Sequence, residues 1–277
     1  MNIIKEIHRE NPDIQAGTHS IIGTRQYQQD FIYFSSDEDS TLAAVCDGMG
    51  GMEGGELASR TAVEALGAAF VSRDKRKSIP EFFRTQAEAI NGKVGALSGP
   101  DGKRLRAGTT IVAVIVRGRS LYWLTIGDSR LYILRDGQMH QVNREHNYRL
   151  SLMESLKSGV ISREQYEREE RTSQADALIS YLGIGRLTIM DINPVPFELQ
   201  PKDIILLCSD GLYKSLTDSQ IQALIEDNDI DLEIAANRLC AMALRRGRGS
   251  QDNTSVLLLE YQGQFEWGSV SLKGEVT

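Results

Sequence analysis

Residues 41–51 read Thr41-Leu-Ala-Ala-Val-Cys46-Asp47-Gly48-Met49-Gly50-Gly51. The run Thr41 to Cys46 is apolar and short, which suits a strand buried on both faces. An aspartate ends it, and a glycine cluster follows: Gly48, Gly50, Gly51, Gly54 and Gly55. Beyond the glycines a helix is predicted over about 56–72. Ala58, Ala62, Ala65, Leu66, Ala69 and Phe70 recur there at steps of three and four, one face of a helix. A carboxylate is therefore delivered at the end of a buried strand, next to a tight turn.

The same pattern recurs outward along the chain. Upstream, 16–22 and 30–35 read as strands. Downstream come a second helix, about 80–97, and a break at 98–107 marked by Gly99, Pro100 and Gly102. Strands are predicted at 109–117, 120–126 and 129–135. Leu121 to Arg135 alternates around Gly127-Asp128-Ser129 and reads as a hairpin. Residues 143–178 are polar with helical signals, and read as a mobile insert. A buried strand at 203–208, helices at about 218–227 and 230–246, and a closing strand at 253–261 complete the core. The tail 262–277 carries no clear period. No internal repeat or long linker divides the chain, so one domain is expected over 1–277.

The chain has 277 residues, 41% hydrophobic and 25% charged, which is ordinary globular composition and disfavours disorder or a coiled coil. Its net charge of −7 disfavours a nucleic-acid binder. No apolar run is long enough for a membrane helix, and the N-terminus lacks a signal-peptide core. Three scattered cysteines, Cys46, Cys208 and Cys240, do not make a disulfide framework. A cytoplasmic, soluble protein is expected.

Five aspartates stand at strand ends. Asp47 follows 41–46, Asp128 follows 120–126, and Asp210 follows 203–208 after one serine. Asp252 precedes 253–261, and Asp30 opens 30–35. In antiparallel sheets the end of one strand lies beside the start of its neighbour, so all five can share one edge. Carboxylates crowded in that way call for cations. An oxygen-only donor set selects magnesium, manganese or calcium over zinc. His8, His19, His140 and His146 show no zinc-site spacing. Asp is also common in turns, which accounts for any one position; Asp-Gly after two buried strands is harder to explain that way. The glycine cluster lacks the lysine of a nucleotide-binding phosphate loop. Cys240 and Arg246 match a cysteine-phosphatase spacing but lie inside a predicted helix, where Cys240 reads as core.

Six blocks together resemble the metal-dependent protein Ser/Thr phosphatases of type 2C, in particular the compact bacterial members. They are Gly23-Thr-Arg25-Gln-Tyr-Gln28-Gln29-Asp30, Asp47-Gly48-Met49-Gly50-Gly51, Gly108-Thr109-Thr110, Gly127-Asp128-Ser129-Arg130, Ser209-Asp210-Gly211-Leu212 and Asp252-Asn253-Thr254-Ser255. The resemblance covers about 16–261. It implies an α/β (α+β layered) fold: two antiparallel sheets packed as a sandwich, flanked by helices, with 143–178 as a flap beside the active site that selects phosphoprotein substrates.

It also implies roles. Asp47 bridges two metals, manganese or magnesium, and the Gly48 carbonyl completes one of them. Asp210 and Asp252 hold the second. Asp128, sharing Asp210, helps hold a third, weaker ion. Arg25 contacts the phosphate, while Asp30 and Gln29 stand behind the ligands. A metal-bridging water then attacks phosphorus directly. The implied substrates are phosphorylated proteins produced by a Ser/Thr kinase, and a monomer is expected. Met49 stands where some members carry a proton-donating histidine. His146 is a remote alternative donor, expected on the solvated surface. Gln28 replaces the family asparagine, and Glu145-His146 replaces its Asp-His. The alternative reading is a catalytically weak pseudophosphatase that binds phosphoproteins.

Overall fold

The computed structural model describes residues 2–7, 11–226 and 231–263, without the side chains of Met52 and Glu53. His8 and residues 264–277 of the tail fall outside the described residues, as do residues 227 and 230 at the expected helix ends. The chain begins with β1 (Ile3–Ile7), β2 (Ile14–Ile21), β3 (Asp30–Ser36) and β4 (Ser40–Met49). Helices α1 (Gly51–Val71) and α2 (Ile79–Gly95) follow, then β5 (Gly108–Thr109), β6 (Ile111–Arg117), β7 (Ser120–Ile126), β8 (Arg130–Arg135) and β9 (Gln138–Gln141). The polar insert forms α3 (Tyr148–Lys157), α4 (Arg163–Glu170) and a 3-10 turn at Ser173–Asp176. The chain continues through β10 (Asp191–Ile192), β11 (Phe197–Glu198), β12 (Ile204–Cys208), α5 (Asp210–Tyr213), α6 (Asp218–Ile225), α7 (Leu232–Arg246) and β13 (Thr254–Tyr261).

Two sheets result. The first runs β1-β3-β4-β6-β7-β10, with β5 on β4 and β11 on β7; the second runs β2-β13-β12-β8-β9. Pairing is antiparallel except for β1 on β3. Alternation along β4 shows how the layers are built. Leu42, Ala44 and Cys46 face α1 and α2, where they meet Ala62, Leu66, Phe83 and Ile90. Ala43 and Val45 face the other sheet, where they meet Leu131, Ile205, Leu207 and Leu257. The far face of the second sheet packs Leu206, Val256 and Leu258 against Leu212, Ile221, Leu239 and Cys240 of α5, α6 and α7. Strands with apolar residues on both faces read as continuous apolar runs, which is why 41–46 and 203–208 stood out.

The structure corrects the expected hairpin. β7 and β8 lie in different sheets: β7 pairs with β6, and β8 pairs with β12 and β9. Each strand has two apolar faces to cover, and a hairpin would leave the inter-sheet layer short. The chain instead crosses from one sheet to the other at Gly127-Asp128-Ser129. Gly127 has φ 103°, and a Cβ there would fall 2.6 Å from Thr110 Cγ2. Helix α1 also starts earlier than its periodicity indicated. Gly50 and Gly51 (φ 120° and 46°) turn the chain from β4 directly into it. β1, β9, β10 and β11 are short edge pieces with no sequence signal of their own.

Opposite effects are expected at two glycines. A Cβ on Gly17 of β2 would lie 2.1 Å from the Leu232 carbonyl carbon at the start of α7, so Gly17→Ala should cost about 1–3 kcal/mol by overpacking. Gly92 is exposed inside α2 and faces open space, so Gly92→Ala should gain about 0.5–1 kcal/mol from helix propensity. Urea unfolding of the two variants would measure both.

Candidate active site

The register of the strands places the aspartates. Asp30 stands directly opposite Asp47 in the β3–β4 ladder. Asp210 begins α5 just beyond β12, and Asp252 lies just before β13, its sheet neighbour. Asp128 sits in the crossing from β7 to β8. Hydroxyl and amide groups join these pieces across the sandwich. Ser209 Oγ donates to Asp30 Oδ2 at 2.7 Å and accepts from Ser255 N at 2.9 Å. Asp47 N donates to Thr110 Oγ1 at 3.0 Å, and Thr110 Oγ1 lies 2.7 Å from Ser129 Oγ. Gln29 N donates to Asn253 Oδ1 at 2.7 Å, and Asn253 Nδ2 donates to the Ile22 and Tyr27 carbonyls.

The sequence-derived residues come together. Gly48 N donates to the Gln29 carbonyl, and Gln29 Nε2 reaches the Gly51 carbonyl at the head of α1. A Cβ on Gly48 would lie 2.0 Å from the Gly55 carbonyl oxygen, so only glycine lets β4 pass so close to α1. Arg25 Nη2 bonds Asp252 Oδ2 at 2.6 Å, and its side chain is 59% exposed at the mouth of the site. Gln28 accepts from Asp30 N and donates to Ser20 Oγ, so it supports the strand end rather than the cleft.

The electrostatics are those of crowded like charges. Burial, then Asp30, Asp210, Asp128 and Asp252, push the Asp47 carboxyl well above the usual carboxylate range. Burial raises Asp30 to about 7, against hydrogen bonds from Ser209 and Ser255. Burial and then Asp210 raise Asp128 to about 6, with Lys214 opposing. Sequence reasoning missed Lys214. It lies four residues after Asp210 and bonds Asp210 Oδ2 at 2.5 Å. The i,i+4 spacing of an acid and a lysine was the available signal.

Oxygen-donor cations fit this site. The candidate ligand side chains are all carboxylates, and among the described residues Asp30 Oδ1 is buried without a hydrogen-bond partner. Among the described residues no three acidic, His or Cys side chains already close around one ion-sized point. Asp252 and Asp210 are turned toward Arg25 and Lys214, which supply the counter-charge in this arrangement.

His146 overturns its expected surface position. It is fully buried; its Nδ1 accepts from Gly127 N at 3.2 Å and its Nε2 lies 3.5 Å from Asp191 Oδ1. A ring nitrogen that accepts carries no proton, so the proton sits on Nε2, facing Asp191. The backbone closes the same contact, with His146 N donating to the Gly127 carbonyl at 2.8 Å. The imidazole thus braces the turn that carries Asp128 and is shut off from the cleft. Beside it, Glu145 holds Arg130, whose guanidinium covers the Tyr213 ring; Tyr213 OH donates to the Asp128 carbonyl.

The sequence pattern of the Protein phosphatase 2C family matches residues 17–228. Serine/threonine phosphatase stp of Listeria welshimeri is 28% identical over 230 residues, 82% of this chain and 87% of that protein. A Streptococcus agalactiae serine/threonine phosphatase structure is similar with TM-score 0.78 and 26% identity, covering 90% of this chain and 100% of that one. The catalytic domain of the serine/threonine protein phosphatase PstP, in complex with two manganese ions, gives TM-score 0.67 and 27% identity, covering 90% and 99%.

A pH dependence follows from the raised carboxyls. Folded Asp30 and Asp128 keep protons to about 7 and about 6, whereas an unfolded Asp releases its proton near 3.8. The folded state therefore binds more protons across that window, and stability falls as pH rises through it. Asp37 and Asp191, held below the usual range, act at lower pH. Without divalent metal, the melting temperature should fall between pH 5 and 7.5, by roughly the few degrees that 1–2 kcal/mol produces in a chain of this size. Manganese should flatten that fall. A flat profile in chelator would refute the crowding.

Proposed function

The chain belongs to the protein phosphatase 2C family of metal-dependent protein serine/threonine phosphatases, and on that premise we propose that its aspartate cluster hydrolyses phosphoserine and phosphothreonine in proteins. The gathering of Asp30, Asp128, Asp210 and Asp252 around Asp47, at an edge shared by both sheets, carries this reading. Asp47 and the Gly48 carbonyl would hold one ion, and Asp47, Asp210 and Asp252 a second. Asp128 with Asp210 would hold a weaker third. Manganese and magnesium both suit these donors. When bound, such ions supply Lewis acidity toward phosphate oxygens and lower the pKa of a water nucleophile, so no phosphoenzyme is needed.

The protein's own groups do the rest. Arg25 offers a planar fork of donors to two phosphate oxygens, and Asp252 holds it at the mouth. Asp30 and Gln29 fix the strand end that presents Asp47 and Gly48. Met49 has no proton to give, and His146 is buried with Nδ1 committed to Gly127. The departing alkoxide therefore takes its proton from water. Among the described residues no helix is long and apolar enough to cross a membrane. We take the chain to be one catalytic domain acting as a monomer in the cytoplasm, on proteins phosphorylated by a Ser/Thr kinase. The acidic net charge argues against nucleic acid as a substrate.

Hydrolysis of p-nitrophenyl phosphate and of a phosphothreonine peptide, with manganese and with chelator, tests this function. Wild type should turn over both only with metal. Asp47→Asn should lose at least about 10²–10³-fold in kcat, as expected when a principal electrostatic group at the reacting centre is removed. Arg25→Ala should cost about 10–100-fold in kcat/KM, the worth of a charge-assisted hydrogen bond. Asp30→Asn should weaken metal binding by about 10–100-fold, seen by calorimetry without any substrate. Turnover that persists in chelator would sink the metal-dependent mechanism.

A further inference from the structure

A cavity of about 520 Å³ opens at Met49, the end of the strand that carries Asp47, and is walled by Met49, Arg104, Arg106, Tyr181 and Gly183. Asp47 and Met49 are two residues apart on one strand, so they share a face and stand about 6.6 Å apart. An extended peptide advances about 3.3–3.6 Å per residue. A residue one or two places from a phosphoresidue held at Asp47 therefore falls within reach of the cavity.

The cavity is a built feature of the fold. Its wall at 181–185 is tied to α2, with Gly183 N donating to Asn91 Oδ1 at 2.7 Å and Asn91 Nδ2 donating to the Gly185 carbonyl at 2.6 Å. Leu182 and Thr109 exchange two backbone hydrogen bonds, and Thr109 Oγ1 donates to the Asp47 carbonyl at 2.9 Å. The Tyr181 ring packs against Gly108, where a Cβ would fall 2.5 Å from its Cδ2. The opposite wall is the 98–107 loop, closed by Gly99 N to the Lys103 carbonyl and Leu105 N to the Leu97 carbonyl.

Charge decides what the cavity would take. Other arginines near the site are paired: Arg25 with Asp252, Arg60 with Glu64, Arg130 with Glu145, Arg144 with Asp191. Arg104 and Arg106 are exposed and form no ion pair or side-chain hydrogen bond with any described residue. Their loop abuts the turn that follows Asp47, a Cβ on Gly50 falling 2.3 Å from the Arg106 carbonyl oxygen, on a chain of net charge −7 that repels anions at long range. We propose that this cavity is a substrate subsite in which Arg104 and Arg106 bind an anionic side chain flanking the phosphorylated residue. The proposal rests on the phosphatase reading above and names its substrate class: phosphoproteins with an acidic residue, or a second phosphate, one or two positions from the target.

Phosphothreonine peptides carrying Glu, phosphothreonine, Ala or Lys at each of the two positions on either side would test it, together with p-nitrophenyl phosphate. At one or more flanking positions, wild type should favour the anionic side chain over Ala by about fivefold in kcat/KM, the order of a solvent-facing charge pair. The preference should fade as salt rises. The ratio should drop to near one in Arg104→Gln/Arg106→Gln, and Arg106→Glu should turn it toward Lys, a gain that misfolding cannot mimic. Preference for phosphothreonine alone would support the proposal with a second phosphate as the ligand; equal preference for Glu would support it for anions in general. Equal turnover of Glu, phosphothreonine and Ala peptides by wild type, or a ratio that survives the double substitution, would overturn it. Failure of wild type with metal to hydrolyse even p-nitrophenyl phosphate would overturn the phosphatase reading, and the subsite with it.

Discussion

Like charges held close in a half-dry cleft repel one another. Two carboxylates 4 Å apart at an effective dielectric of about 20 cost about 4 kcal/mol. Here five aspartates sense one another, and only the surrounding framework keeps them together. Asp30 and Asp47 are locked face to face by the β3–β4 register. Asp210 and Asp252 are held by β12 and β13, and Ser209 bonds that pair of strands to Asp30. Each sheet supplies part of the cluster, so the site depends on the docking of the sheets. The apolar layer between them, from Val45 to Leu207 and Leu257, does electrostatic service by holding repelling groups in place.

The strained arrangement is relieved by two organic cations, Arg25 and Lys214, each on a carboxylate at the rim. Among the described residues the deeper acids, Asp47 and Asp30, have no such partner, and Asp30 Oδ1 accepts no hydrogen bond. Counter-charge is therefore missing where burial is greatest. The same logic explains the second tier of residues. His146, Glu145, Arg130 and Tyr213 form a braced corner around Asp128, which lies on the least regular of the supporting segments, the crossing between sheets. A turn with no ladder of its own needs side chains to hold its shape.

Much of this was legible in the sequence. Strands apolar on both faces announce themselves as continuous runs, and an aspartate at the end of such a run has few places to point. Thus Asp47, Asp128, Asp210 and Asp252 could be placed at one edge from 41–46, 120–126, 203–208 and 253–261. The pairing of strands was less legible. Alternation in 121–135 shows that two strands adjoin in sequence; it does not say whether they pair, because a crossing and a hairpin place the same residues on the same faces. His146 was misplaced because nothing in a polar stretch marks which residues are buried, and its partner, Asp191, lies far along the chain. Lys214 was signalled only by its i,i+4 spacing from Asp210, a spacing common on exposed helices, and the role of Ser209 arises from a hydrogen bond to Asp30 that no spacing reveals.

The pairing of β2 with β13 has a consequence in time. Arg25 and Asp252 are 227 positions apart in sequence and bonded in the fold. A ribosome adding roughly 5–20 residues per second takes about 11–45 seconds to make the stretch between them. Through all of that interval the acids of β3 and β4 exist without the strands that confine them. The nascent chain therefore carries its aspartates as ordinary, separated, hydrated carboxylates. Only when β13 emerges and inserts beside β2 does Asp252 come up against Arg25 and the acids of β3 and β4, so the crowding of the cluster is completed late in synthesis.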